Sequence, residues 1–227
     1  MKIDKSELLR YLGYRGQEYG ENIEQNIDRA VKICLDKITP RSVIKKYSLV
    51  KEPLSLKGAN MTLQGKDIAK HLEDCNEVYI LGATVGFEIE KTVNKLMNEN
   101  PLLGVMVDSA SICAIESYCD DLCEELQRQN TKPLTWRFSC GYGDFPLSQQ
   151  KDFVRLLEMQ KRIGVFLNED SFMMTPQKSV TAIIGIKENA TDSMIEDGAT
   201  KGRKCGSKCA NCGNIDCIYR KVEISKN

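Results

Sequence analysis

Apolar side chains recur at steps of three and four between residues 18 and 38. Ile23, Ile27, Ala30, Val31, Cys34 and Ile38 share one face of a predicted helix, which Pro40 ends. A shorter helix is predicted over 5–12. Across 43–64 the period changes, and "SVIKKYSLV" and "MTLQG" read as β-rich pieces punctuated by Gly and Pro. A short helix over 66–74 leads into "EVYILGAT", the clearest strand in the sequence. "VGFEIEKTVNKLMNE" follows as an amphipathic helix with Ile89, Val93 and Leu96 on one side. The longest helical pattern covers about 102–129, with an expected buried stripe of Val105, Ile112, Ile115, Cys119, Leu122 and Leu126. A second stripe of Ser109, Cys113 and Glu116 is small and polar, and is expected to face solvent. After Pro133 come a strand into Arg137, a glycine-rich turn, a helix from Ser148 to Gly164, and two β segments, "VFLNEDSFMMTP" and "SVTAIIGI". From about residue 188 no sustained period is left.

This order of elements predicts an α+β fold: a mostly antiparallel sheet with several helices, plus a C-terminal cysteine-rich tail. The expected divisions are a body over 1–187, a linker over 188–204 and a four-cysteine metal-binding tail over 205–227. A chain of 227 residues with 41% hydrophobic content can bury a full core. Its 32 basic and 32 acidic residues cancel, which argues against a nucleic-acid binder with a broad electrostatic footprint. No apolar run is expected to approach the roughly eighteen residues of a membrane helix. The opening "MKIDKSELLRYL" lacks the uninterrupted apolar stretch of a signal peptide, so a cytoplasmic protein is expected.

Candidate chemistry is sparse. The single histidine, His71, leaves no His-based triad or multi-histidine metal site. Catalytic residues are therefore not expected, and any role in chemistry is one of binding and positioning. In "RFSCGYGDFP" an arginine ends a strand and Gly141 and Gly143 bracket Tyr142. Arginine offers a planar fork for a carboxylate or phosphate, glycine lets backbone approach a ligand, and an aromatic ring can cover a flat base or a cationic sulfur. A small zwitterionic ligand with an aromatic base suits this grouping, as does a plain tight turn with a surface arginine.

Here the chain resembles a known family. "RFSCGYGDFPLSQQKDFVRLLE" is similar to the R-P-x-P-G-Y-x-x-x-P segment of the activation domain of cobalamin-dependent methionine synthase, and "LNEDSFMMTPQKSVTAIIG" to that domain's L-T-E-S-F-x-M-x-P-x-x-S-V-S-G segment. "VDSASICAIESYCDDLCEEL" looks like the preceding helix and "VYILGATVGFEIEK" like an earlier strand and helix, in the same order and spacing, over roughly 3–187. The likeness is to the small stand-alone form of the domain. It implies an accessory component that binds S-adenosylmethionine while a partner, a corrinoid-binding methionine synthase or related methyltransferase, carries the cobalamin. An electron returns inactive cob(II)alamin to cob(I)alamin, and the adenosylmethionine methyl traps it.

Carried over by position, Arg137 matches the arginine that grips the ligand carboxylate. Ser139, Gly141 and Tyr142 match the turn around the ligand, and Glu116 falls at a glutamate that meets the ammonium group, with a solvated glutamate as the alternative. Met174 and Pro176 match the second segment, as packing or as a sulfonium contact. Phe138 and Cys140 replace the family's prolines, and Ile183 and Ile184 stand where an aromatic pair is expected. Neither a D-x-H-x-x-G cobalamin motif nor a Rossmann G-x-G-x-x-G is present. Other classes are a metal-tailed adaptor that binds a corrinoid protein without adenosylmethionine, and a self-contained methyltransferase.

The tail places Cys205, Cys209, Cys212 and Cys217 in a C-x3-C-x2-C-x4-C block. Zinc would be closed by four thiolates, but zinc ribbons separate their knuckles more widely. Crowded spacing suits an iron–sulfur cluster, and the first three match the C-x3-C-x2-C of radical adenosylmethionine enzymes, though without the barrel that motif normally opens. A cluster would supply the electron the implied reaction needs. Arg203, Lys204, Lys208, Arg220 and Lys221 would then attract an acidic donor such as a ferredoxin or flavodoxin, or simply solubilise the tail.

Overall fold

The structure is a computed structural model and describes residues 1–188. The cysteine tail, with Cys205, Cys209, Cys212 and Cys217, and nearly all of the expected linker lie outside the described residues. The elements run α1 (Lys5–Tyr11), α2 (Glu21–Lys37), β1 (Arg41–Lys51), β2 (Leu54–Leu56), α3 (Lys66–His71), β3 (Cys75–Thr84), α4 (Phe87–Glu99) and α5 (Pro101–Arg128). They continue with α6 (Gln150–Leu156), α7 (Met159–Ile163), β4 (Phe166–Leu167), β5 (Met174–Thr175) and β6 (Ser179–Lys187). β2, β1, β3 and β6 form one antiparallel sheet in that order, and β4 pairs with β5 separately. The α+β architecture with an antiparallel sheet is as expected.

Strand alternation divides the core in two. Leu81 and Ala83 of β3, with Ile184 of β6, face a layer made by α1, α2, α4 and α5. Val78 and Ile80, with Ile183, face α3, α6 and α7. Because both faces are covered, β3 shows no polar alternation, which is why "EVYILGAT" stands out in the sequence. Each fully buried Leu, Ile or Phe, such as Leu81, Ile183 or Phe153, contributes on the order of 1.5–3 kcal/mol. Ile183 and Ile184, where the resemblance led to the expectation of an aromatic pair, are core residues, one on each side of the sheet.

α5 is the core helix of the first layer. Asn100 caps it by accepting from the Leu103 N–H at 3.2 Å, and Pro101 sits in the first turn, where its missing N–H is harmless. By length and composition α5 could cross a membrane, the one such helix among the described residues, contrary to the expectation that no run approached that length. Here it packs against α1, α2, α4 and β3. Contacts on several sides correct its expected stripes. Val105 is exposed at 45%, whereas Ser109 and Cys113, expected in solvent, retain only 5% and 6% exposure. Their small side chains let neighbouring elements close over the helix.

Three further differences are local. The helix expected over 148–164 is a 3-10 turn followed by α6 and α7, broken where Glu158 takes a left-handed φ of 53°. "MTLQG" contributes only an isolated bridge between Ser55 and Thr62. The segment leading to Arg137 is not a full strand and touches β6 through two bridges, Leu134 to Ile186 and Phe138 to Ile183.

Candidate functional site

Those two bridges create the site. Thr135 N–H donates to the Gly185 carbonyl at 2.8 Å, and Phe138 and Ile183 exchange both backbone bonds at 2.9 and 2.8 Å. Beyond Phe138 the chain leaves the β6 edge. Backbone groups alternate along a strand, so the N–H and C=O of Thr181 face the same edge of β6 as those of Ile183, although Thr181 itself stays buried at 2% exposure. The opening there is a cleft of about 190 Å³. Ser179, Val180 and Thr181 of β6 line it, as do Glu116 of α5, Gln150 of α6 and Met174 of β5. Arg137, Ser139 and Tyr142 complete the lining.

Arg137 is buried, with 7% exposure, and α5 holds it. Its Nη2 lies 2.7 Å from Glu116 Oε2 and its Nη1 2.8 Å from Asp120 Oδ1, with Cys123 Sγ 4.0 Å from Nη1. Burial opposes the guanidinium charge, but Cys119, Glu116, Cys123 and Asp120 outweigh it and hold the pKa above the ordinary arginine value. Burial also pushes the Cys119 thiol up to about 12, so at neutral pH that thiol is uncharged and the carboxylates supply the compensating charge. Of the five guanidinium N–H donors, Nε–H and one on Nη2 have no partner among the described residues.

The turn after Arg137 is held from two directions. Internally, Tyr142 N–H donates to the Ser139 carbonyl at 3.1 Å, Phe145 N–H to Tyr142 at 3.0 Å and Gly141 N–H to Phe145 at 2.8 Å. Gly141 has a φ of 90°, so glycine suits the bend. From outside, Asp144 accepts from the Lys66 and Asp67 N–H groups at 2.7 and 2.9 Å, and Asp144 N–H donates back to Asp67 at 3.1 Å. Behind the turn, Phe138 packs with Trp136, Tyr142 and Phe145 at ring separations of 5.1, 5.8 and 6.0 Å. His71 adds its ring 4.7 Å from Trp136, with Nε2 3.0 Å from the Trp136 carbonyl. Burial, partly offset by that contact, drops its pKa to about 4, so the lone histidine is a neutral packing residue at pH 7. Trp136 and Tyr142 keep much of their surface exposed beside the cleft.

Four of the five residues picked from sequence, Glu116, Arg137, Ser139 and Tyr142, thus converge on one cleft, while Gly141 shapes the turn without lining it. Sequence reasoning passed over Asp120, one helical turn after Glu116; that four-residue spacing was the available signal. It also passed over Gln150 and Thr181, whose side chains approach at 3.4 Å and whose placement depends on tertiary packing. A second groove, about 620 Å³, lies along α6, α7 and β4 and contains none of the predicted residues. Among the described residues no group of three or more His, Cys, Asp or Glu side chains could hold a metal ion. The six described cysteines are free, and burial pushes the Cys34, Cys113 and Cys140 thiols up to about 12.

No protein-family profile matches the chain, and no curated protein sequence matches it. Among solved structures, the fold is similar to the MetH reactivation domain bound to AdoHcy, with a TM-score of 0.61 and 16% identity. The match covers 83% of this chain and 75% of that one. At this identity the likeness is one of fold, and it gives the body the methionine synthase activation-domain architecture that the sequence motifs anticipated.

Proposed function

We propose that the chain is an S-adenosylmethionine-binding reactivation module that supports reductive methylation of cobalamin in a corrinoid-dependent methionine synthase or related methyltransferase. The observation that carries this reading is the convergence of Glu116, Arg137, Ser139 and Tyr142 on one cleft, in a fold shared with a reactivation domain bound to AdoHcy. AdoHcy is S-adenosylmethionine without its transferable methyl group. In this reading the two unpartnered N–H donors of Arg137 receive the ligand carboxylate, and Glu116 receives its ammonium. The base lies in this reading against Thr181 of β6 and the exposed ring of Tyr142, on a turn whose bend Gly141 permits. Met174 provides a soft wall for the sulfonium.

The size of the cleft supports a shared ligand. Pockets that enclose small molecules measure roughly 300–1,000 Å³. A cleft of about 190 Å³ grips part of a nucleoside-sized ligand and leaves the rest accessible. That suits a methyl donor whose acceptor, the cobalt of cob(I)alamin, sits in the partner. The methyl leaves sulfur as a cation equivalent, the cobalt electron pair forms the new bond, and AdoHcy remains. The electron that makes cob(I)alamin comes from outside the cleft, from a donor such as a ferredoxin or flavodoxin. The thiolates of Cys205, Cys209, Cys212 and Cys217 would hold an iron–sulfur cluster, or zinc as the alternative, and their spacing is the support for that assignment. A cytoplasmic location follows from the same reading.

Titration calorimetry with S-adenosylmethionine tests the binding step, with Tyr142→Ala as the variant because Tyr142 is 42% exposed and tolerates replacement. Saturable heat from the wild type, weakened about tenfold in the variant, is expected. Absence of saturable heat in the wild type would overturn the reading and leave the metal-tailed adaptor.

A further inference from the structure

We propose that Asp67 and Asp144 are positioning residues for the ligand-facing turn: a reciprocal clasp at the start of α3 sets where Ser139 and Tyr142 stand before any ligand arrives. This inference rests on the ligand reading of the cleft, and neither aspartate lines it.

The clasp has a near-twofold pattern. Asp144 accepts two backbone N–H groups from the α3 start, and Asp67 accepts the backbone N–H of Asp144 in return. Each aspartate is matched by a glycine on the opposite strand of the clasp. A Cβ on Gly65 would stand 2.7 Å from Asp144 Oδ1, and one on Gly143 would run into the Asp67 carboxylate. Both glycines have positive φ, at 123° and 53°. Two backbones that come this close need residues without side chains at both crossing points. The bonds from Asp67 and Lys66 hold the Asp144 carboxylate below the usual aspartate range, so it stays ionised and the bonds it accepts are charge-assisted.

Location separates this device from the core. All three bonds are solvent-exposed, and no apolar cluster includes either aspartate. What the clasp spans is the far side of the turn from Arg137. The near side is fixed to β6 at Phe138, and the buried Phe145 anchors the chain just beyond Asp144, so Ser139 and Tyr142 lie between these two anchored ends. With the clasp closed, Tyr142 is set before a ligand meets it, and ordering it is not charged against binding.

The single tryptophan, Trp136, reports the turn directly, since its ring lies 6.3 Å from Tyr142. We would compare wild type, Asp144→Asn and Asp67→Asn by Trp136 emission and acrylamide quenching, urea unfolding, and S-adenosylmethionine titration. Asp144→Asn, which disturbs two bonds, is expected to raise quenching of Trp136 and weaken binding about tenfold, with a small shift in urea midpoint. Asp67→Asn, which disturbs one, should do the same to a lesser degree. Saturating ligand should return the Trp136 signal of both variants toward wild type, which a merely structural lesion would not do. Unchanged quenching and affinity in Asp144→Asn overturn the clasp while leaving the ligand reading intact. A wild type that does not bind S-adenosylmethionine overturns that reading and the positioning role with it, whatever the quenching shows. Should Asp144→Asn fail to fold, the milder variant still decides.

Discussion

Replacing Arg137 with methionine tests how the site is held together, independently of any ligand. The substitution keeps most of the apolar stem and leaves Glu116 and Asp120 side by side without their guanidinium. At an effective dielectric near 20, two unit charges about 4 Å apart interact by roughly 4 kcal/mol. The Glu116 and Asp120 side chains retain 29% and 31% exposure, so water screens much of this. Removing one partner of a fully buried pair costs about 3–5 kcal/mol. A loss of about 2–4 kcal/mol is therefore expected for Arg137→Met, read from urea unfolding at pH 7 by circular dichroism. The triple variant Arg137→Met, Glu116→Gln, Asp120→Asn removes the stranded charges and should recover at least half of that loss. A single variant within about 0.5 kcal/mol of wild type, the range of ordinary surface changes, would refute the argument that these carboxylates hold a buried cation.

Other expectations follow from single residues. His71 prefers its neutral form in the fold, with a pKa of about 4, while an unfolded histidine takes its proton near 6.5. Its contribution is thus complete above pH 6.5 and is lost as the pH falls from there to 4, by at most about 3 kcal/mol. As the only histidine it gives one imidazole Cε1–H resonance, and a midpoint near 6.5 in the native protein would contradict the burial. On α5, Val105→Lys should change stability by less than about 0.5 kcal/mol, whereas Ser109→Leu should cost about 1–3 kcal/mol by overpacking; thermal unfolding compares the two. Replacing Cys205, Cys209, Cys212 and Cys217 with serine should remove iron or zinc from anaerobically purified protein, by elemental analysis, and leave the far-ultraviolet dichroism of the body unchanged.

What the chain states locally is its elements and one half of its site. The period of α2, the apolar run of β3 and the Pro101 start of α5 are written in neighbouring residues, because helix and strand periodicities act over a few positions. So is the turn chemistry of Arg137, Ser139, Gly141 and Tyr142. The tertiary structure decided the rest. Which side of α5 faces solvent depended on how many elements pack around it, and so Ser109 became buried and Val105 exposed. Arg137 meets Glu116 and Asp120 only because the segment before it runs beside β6 and brings it under α5, across 21 and 17 residues of sequence. The Asp67–Asp144 pairing spans 77 residues and depends on two backbones crossing at glycines. Contacts of that range carry no periodic trace in a sequence, since each partner alone looks like an ordinary surface aspartate.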